Sequence, residues 1–251
     1  MAKVLLITGA SRGIGRACVL RALEHADTRV FAVARSKDAL EELAQRDADR
    51  VAYLDGDLTE QGTCAEAIRQ CVSRFGRLDA VVHSAGLLKP IATIADGDLD
   101  AWRRLFDVNF FSVLELSQAA LQQLRQSNGA LIMINSGASE RAYHGWGAYC
   151  TSKAALKMLT MGLAAEEADV TSIGLLPGRT NTDMLATICN EGTDSMDPAT
   201  YDTFKKGRDE GSIHAPDVPA KAIVALALHA RGEQWNGRNV LWNDADVQRL
   251  V

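Results

Sequence analysis

Tyr149 and Lys153 lie in the run Tyr-Cys-Thr-Ser-Lys, with Ser136 thirteen residues upstream. On a helix, positions four apart leave the same face, one turn and about 6 Å apart along the axis. A phenol beside an ammonium can donate or accept a proton. The positive charge favours phenolate and draws the phenol below its ordinary pKa of about 10. A Tyr–Lys pair of this spacing also occurs on many solvated helix faces, so its chemistry depends on what the rest of the chain brings beside it.

The elements that must position these residues follow from the hydrophobic pattern. Continuous apolar runs at 3–8, 30–34, 51–54, 78–82, 131–135 and 170–176, with a short one at 239–242, read as strands buried on both faces. Helical patterns follow them at 16–25, 36–46 (with Ser36 as N-cap), up to Phe75 before Gly76, 98–126, 148–167 and 220–230. Strand and helix alternate without long linkers, repeats or low-complexity segments. That pattern predicts one α/β domain with a doubly wound, mostly parallel seven-stranded sheet and helices on both faces. In such sheets ligands sit beyond the carboxyl ends of the strands. The polar and glycine clusters fall there: Gly9–Gly15, Arg35, Asp57, His83–Gly86, Ser136 and Pro177–Gly178.

Composition narrows the function. A formal charge of −5 over 251 residues, with acids and bases mixed along the chain, leaves no basic footprint for a nucleic acid. No apolar run reaches membrane-spanning length. The five cysteines form no C-x-x-C pair or metal spacing, as expected of reduced thiols. Cys150, next to Tyr149, points about 100° away from it on a helix and is expected to pack. With no signal-peptide pattern ahead of Val4, the cytoplasm is the expected compartment.

Gly9-Ala10-Ser11-Arg12-Gly13-Ile14-Gly15 stands between the first strand and the first helix. Glycines there allow a tight turn and close backbone approach, and the helix N-terminus faces a pyrophosphate. The spacing is G-x-x-x-G-x-G rather than G-x-G-x-x-G. The second strand ends in Ala34-Arg35-Ser36, without the carboxylate that an NAD site usually offers the ribose 2′-hydroxyl. Arg35 and Arg12, with Ser36, could instead hold a 2′-phosphate, which favours NADP. Asp57 is read either as an acceptor for the adenine amino group or as a helix N-cap.

Taken together, Thr8–Gly15, Ser84-Ala85-Gly86, Asn109 within Asp-Val-Asn-Phe-Phe-Ser, Ser136, Tyr149–Lys153 and Pro177–Thr182 resemble the short-chain dehydrogenases/reductases, over nearly the whole chain and in their order. The stretches 105–112 and 136–153 are most similar to the branch containing sepiapterin reductase and benzil reductase ((S)-benzoin forming). The resemblance implies a single Rossmann domain over 1–251 and an NADP(H)-dependent oxidoreductase with Tyr149 as general acid/base. It implies that Ser136 hydrogen-bonds the substrate carbonyl and that Lys153 binds the nicotinamide ribose and holds down the Tyr149 pKa. Asn109 would anchor a proton-relay water. Thr182 would hold the nicotinamide carboxamide. The implied cofactor set runs through Gly9, Ser11, Arg12, Gly13, Ile14, Gly15, Arg35, Ser36, Asp57, Leu58, Ser84, Ala85, Gly86, Tyr149, Lys153, Pro177, Gly178, Thr180 and Thr182, with no metal.

Two departures from the family pattern stand out. Ser84 replaces an Asn expected to brace the sheet, beside a His83 read as structural. Leu241 occupies the position of the Asp that grips a pterin, with Asp244 three residues on. A ketone or α-diketone such as benzil is therefore the expected substrate, with sepiapterin as the alternative. A dinucleotide-binding sensor or scaffold without catalysis is the reading from another class. The polar stretch 181–215 is expected to be an irregular lid. Met184, Leu185, Ile188 and Met196 would be either its substrate contacts or the buried face of a lid helix. Tyr143, Trp146, Leu87 and Leu88 near the rim suggest an apolar pocket. Apolar helices at 105–124 and 156–163 pair between subunits in such families, which implies a homodimer, or a tetramer.

Overall fold

The strand-forming runs are apolar on both sides because both faces of the sheet are covered. In the computed structural model, which describes residues 2–251, seven parallel strands form one sheet in the order β3-β2-β1-β4-β5-β6-β7. They are β1 (Lys3–Thr8), β2 (Thr28–Ala34), β3 (Val51–Asp55), β4 (Ala80–His83), β5 (Ala130–Ile134), β6 (Thr171–Leu176) and β7 (Asn239–Leu241). Alternate side chains of β1 enter opposite layers. Leu5 and Ile7 join the layer packed by α1 (Gly13–Leu23) and α9 (Asp217–His229). Val4 and Leu6 join the layer packed by α3 (Thr63–Phe75), α5 (Ser112–Ser127) and α6 (Gly147–Glu166). α9 is apolar around nearly its whole circumference and is correspondingly buried from Ala222 to Leu228. α2 (Lys37–Arg46) buries Leu40 and Leu43 in the core, with Ala44 partly buried beside them.

Strand order reverses between β1 and β4, and the crevice beyond their carboxyl ends is the ligand position of this architecture. The backbones there nearly touch. A Cβ on Gly9, whose φ is +63°, would lie 2.9 Å from the Ala85 backbone. On Gly15 it would lie 2.3 Å from the Gly9 carbonyl oxygen, so only glycine lets α1 start this close to β1.

One expectation is refined and another corrected. The helical pattern at 98–126 is α4 (Leu99–Phe106) and α5 joined by a π-helical turn at Asp107–Phe111. Hydrophobic spacing does not reveal one inserted residue of this kind, which rotates Asn109 inward. The stretch 181–215 is not irregular: it holds α7 (Asp183–Glu191) and α8 (Pro198–Asp209). α7 is short and α8 buries only Gly207, so neither leaves a clear apolar stripe, but the Asp197 carboxylate caps α8 by accepting from Thr200 N at 2.9 Å. A last short helix, α10 (Ala245–Gln248), follows β7.

Candidate active site

Ser136 follows β5 as N-cap of a 3₁₀ turn, where its hydroxyl accepts from Ala138 N at 3.2 Å and hydrogen-bonds with the Tyr149 side chain. Tyr149 and Lys153 lie on the buried face of α6 and are 6% and 5% exposed. The Lys153 ammonium donates to the Ile134 carbonyl at 2.8 Å and lies 5.7 Å from the Tyr149 ring centre. Burial pushes the Tyr149 phenol up to about 12, and the Ser136 hydrogen bond only partly opposes it. Burial also pulls Lys153 down to about 8. The expected lowering of the phenol is thus corrected: desolvation dominates, and the Lys153 ammonium is turned to a backbone carbonyl. At neutral pH the set is a protonated phenol beside an ammonium.

Asn109 is turned onto this set by the π-helical turn. Its amide oxygen accepts from Leu87 N at 2.7 Å, and its nitrogen donates to Leu87 O at 2.8 Å and Ser152 Oγ at 3.1 Å. Both its side chain and Lys153 border Gly86, where a Cβ would lie 3.5 Å from Asn109 Oδ1 and 4.0 Å from Lys153 Nζ. Ser152, one residue before Lys153, was not singled out by sequence because its part is to hold Asn109.

The glycine turn suits a dinucleotide. α1 begins after Arg12 with no side-chain cap and no acidic residue in its first turn, so its leading N–H groups and positive dipole end stand open. Thr8 Oγ1 accepts from Ser84 N at 3.0 Å and from Ala85 N at 3.1 Å, so the brace expected from an Asn at position 84 comes from β1 instead. Ser11 and Ile14 are half-buried on the turn, and Leu58 is buried in the α3 layer. Ser36 is the N-cap of α2 but makes no capping hydrogen bond. Arg35, exposed, lies 3.7 Å from Asp57. Burial acts to raise the Asp57 carboxyl, but hydrogen bonds from Thr59 and Arg104 outweigh it and hold it at about 2. Arg104, on α4, reaches it at 2.8 Å, and no local signal would have predicted that partner.

From the far side, Thr182 comes against the same turn: a Cβ on Gly13 would meet its methyl at 3.4 Å. Arg12 pairs with Asp183 at 2.6 Å in solvent, worth about 0–1 kcal/mol. Thr180 is buried, with its hydroxyl 3.3 Å from the Pro177 carbonyl, and Gly178, at φ +71°, lies against the Trp242 indole. His83 is structural. It is buried 3.1 Å from Ser117 Oγ, and burial lowers its pKa to about 3. All five cysteines are free and buried, Cys150 among them.

The substrate side is aromatic. Trp146 meets Tyr149 edge-on at 5.9 Å and packs against Tyr143 at 4.9 Å and Phe204 at 5.4 Å. Leu88, Ile188 and Met196 complete this cluster, with Met184 at its margin. Met184 and Ile188 of α7 and Phe204 of α8 thus pack into the surroundings of Tyr149. The indole N–H of Trp146 is buried and has no hydrogen-bond partner among the described residues. Leu241, half exposed, ends β7, and Asp244 accepts from its N–H at 2.9 Å.

A doubly wound parallel sheet with an open helix N-terminus at its switch point is the architecture of a dinucleotide-binding fold. The family model described as short chain dehydrogenase matches residues 3–192, and the chain belongs to that family. It is 41% identical to an uncharacterized oxidoreductase of Schizosaccharomyces pombe, over 96% of each chain. It is 36% identical to a benzil reductase ((S)-benzoin forming) of Saccharomyces cerevisiae, over 97% of each chain. Among solved structures, a short chain dehydrogenase/reductase of S. cerevisiae superposes with a TM-score of 0.96 at 35% identity over the whole of both chains. An alcohol dehydrogenase of the archaeon Thermococcus sibiricus, complexed with 5-hydroxy-NADP, superposes with a TM-score of 0.77 at 28% identity, over 96% of each chain.

Proposed function

We propose that the chain is an NADPH-dependent carbonyl reductase acting on ketones and α-diketones of the benzil type. The observation that carries this is the Tyr149 phenol, buried on α6 with Lys153 and edge-on to Trp146 in an aromatic cluster near Ser136. The nicotinamide, when bound, supplies the hydride. Negative charge then grows on the carbonyl oxygen, where Ser136 stabilises it by a hydrogen bond and Tyr149 delivers the proton. Lys153, cationic below about pH 8, favours the phenolate that proton transfer leaves, and binds the ribose. Asn109 and Ser152 keep the polar path beside Gly86 in shape for proton return from solvent.

NADP rather than NAD fits a β2 end that carries Arg35 and Ser36 and no acid, with Arg12 across the turn. The remaining cofactor contacts come from Gly9–Gly15, Asp57, Leu58, Ser84–Gly86, Pro177, Gly178, Thr180 and Thr182. α7 and α8 act as a lid on the substrate side. Asp244 is engaged by Leu241 N and is not offered to a pterin, so sepiapterin is the weaker candidate. The exposed Phe111, Met158 and Met161, on the π turn and α6, suit a homodimer face, and the protein works in the cytoplasm.

The test follows NADPH absorbance with benzil, sepiapterin and a panel of ketones. Consumption with benzil is expected. Tight NADPH binding without turnover of any carbonyl compound would instead support a sensor or scaffold.

A further inference from the structure

Beyond the aromatic floor of the site lies a cavity of about 360 Å³, bordered by Arg141, Tyr143, Arg179, Thr200, Thr203 and Phe204. It is separated from the catalytic set by one layer of aromatic packing. Tyr143 packs on Trp146, which meets Tyr149, and the Tyr143 hydroxyl would lie 3.9 Å from a Cβ on Gly137, the residue after Ser136. Both cavity arginines are laid on rings: Arg141 is 4.8 Å from the centre of Tyr143, and Arg179 is 5.2 Å from that of Phe204. Arg141 also donates to the Tyr143 hydroxyl at 2.6 and 2.9 Å. Ring contact holds each guanidinium in place; Nη1 of Arg141 and the Arg179 guanidinium make no hydrogen bond to another described residue and can meet an anion.

No carboxylate among the described residues lies within 4.0 Å of either guanidinium. Glu140, beside Arg141, is taken by Lys157 at 2.7 Å. Asp202, Asp209 and Glu210 share a separate, wider cleft with Arg179 but do not border this cavity. Two of those three have other partners: Glu210 with Lys206 at 3.7 Å and Asp209 with Arg208 at 3.6 Å. In a chain with net charge −5, two exposed arginines held against rings, with no ion-pair partner among the described residues, give this cleft a local positive character.

We propose that Arg141 and Arg179 form an anion subsite that selects aryl carbonyl substrates carrying a carboxylate on the side away from the reacting carbonyl. This rests on the carbonyl-reductase reading above and narrows its substrate class. The carboxylate accepts from both guanidinium edges while the aryl group lies along Tyr143, Trp146 and Phe204. Hydride and proton transfer at the carbonyl are unchanged.

The test compares 4-carboxybenzil with 4-methylbenzil, which match in shape and differ in charge. The wild type is expected to favour the carboxylate by about ten- to a hundredfold in kcat/KM, mainly through KM, and to lose that preference as salt rises. In Arg179→Gln, whose side chain makes no other hydrogen bond, the ratio of the two efficiencies falls at least about tenfold, and Arg141→Gln/Arg179→Gln brings it near one. Calorimetric titration of both compounds reads the same preference without turnover. Equal binding of the two by the wild type, or a ratio unmoved by both variants, overturns the subsite. Absence of turnover with either compound, while the carboxylate still binds more tightly, overturns the reductase reading and leaves the subsite standing.

Discussion

The two halves of the rim are built of different materials. On the β1–β4 side, backbone does the work: Gly9 and Gly15 bring main chains within contact, and the open start of α1 supplies N–H groups. On the β5–β7 side, side chains do it: Tyr149, Trp146, Tyr143 and Phe204 pack in sequence, and Lys153 is desolvated beneath them. A backbone site recognises what every dinucleotide shares and tolerates little change. A side-chain site can be re-cut for a new substrate without disturbing the first. Specificity for the carbonyl compound therefore belongs to the second half.

Four substitutions or conditions would break or sharpen that contrast. The largest effect is expected for Tyr149→Phe on the side-chain half. The ring stays packed, the proton is lost, and kcat/KM for benzil should fall by about 10³-fold or more while the NADPH Kd holds. Stopped-flow turnover and fluorescence titration would separate the two, and substantial residual reduction would remove Tyr149 from its role. Gly15→Ala attacks the backbone half. Its Cβ has to displace the Gly9 carbonyl from 2.3 Å, so NADPH binding should fail and thermal stability drop by about 1–3 kcal/mol. An unaltered melting temperature would show that α1 can retreat.

Arg35→Asp should be gentler, because only one cofactor contact changes. NADPH should lose about ten- to a hundredfold in kcat/KM against NADH, and an unchanged ratio would dismiss the 2′-phosphate contact. Smallest is the response to pH. Lys153 is lowered to about 8, so the cation is present below that value and lost above it. The kcat/KM for reduction should accordingly fall with a slope near one above about pH 8, while Tyr149, at about 12, stays protonated throughout. A profile flat to pH 10 would separate Lys153 from the rate.

Legibility in the sequence follows the same division. Gly9–Gly15 and the strand-end clusters could be read directly, because a turn that only glycine permits leaves its mark in residue type. Tyr149, Lys153 and Ser136 could be read as a set because helix spacing and strand ends are local. Arg104 could not be assigned to Asp57, nor Thr8 to the loop at Ser84, since both partners are chosen across the fold. The π turn that aims Asn109 inward was hidden, as one extra residue in a helix barely alters an apolar pattern. The 181–215 stretch read as irregular because α7 is short and α8 buries little, and both are held by the cluster they cover.

By itself, then, the sequence determined the alternation of strands and helices, the glycine turn after β1, the missing acid after β2 and the placing of Tyr149 and Lys153 on one helix face. All are consequences of local sterics, periodicity and charge. Tertiary structure decided the environment of that set, since burial raises the Tyr149 phenol and lowers the Lys153 ammonium. It also decided which arginines are ion-paired and which stand free over aromatic rings, because ion pairing is settled only when distant segments are packed together.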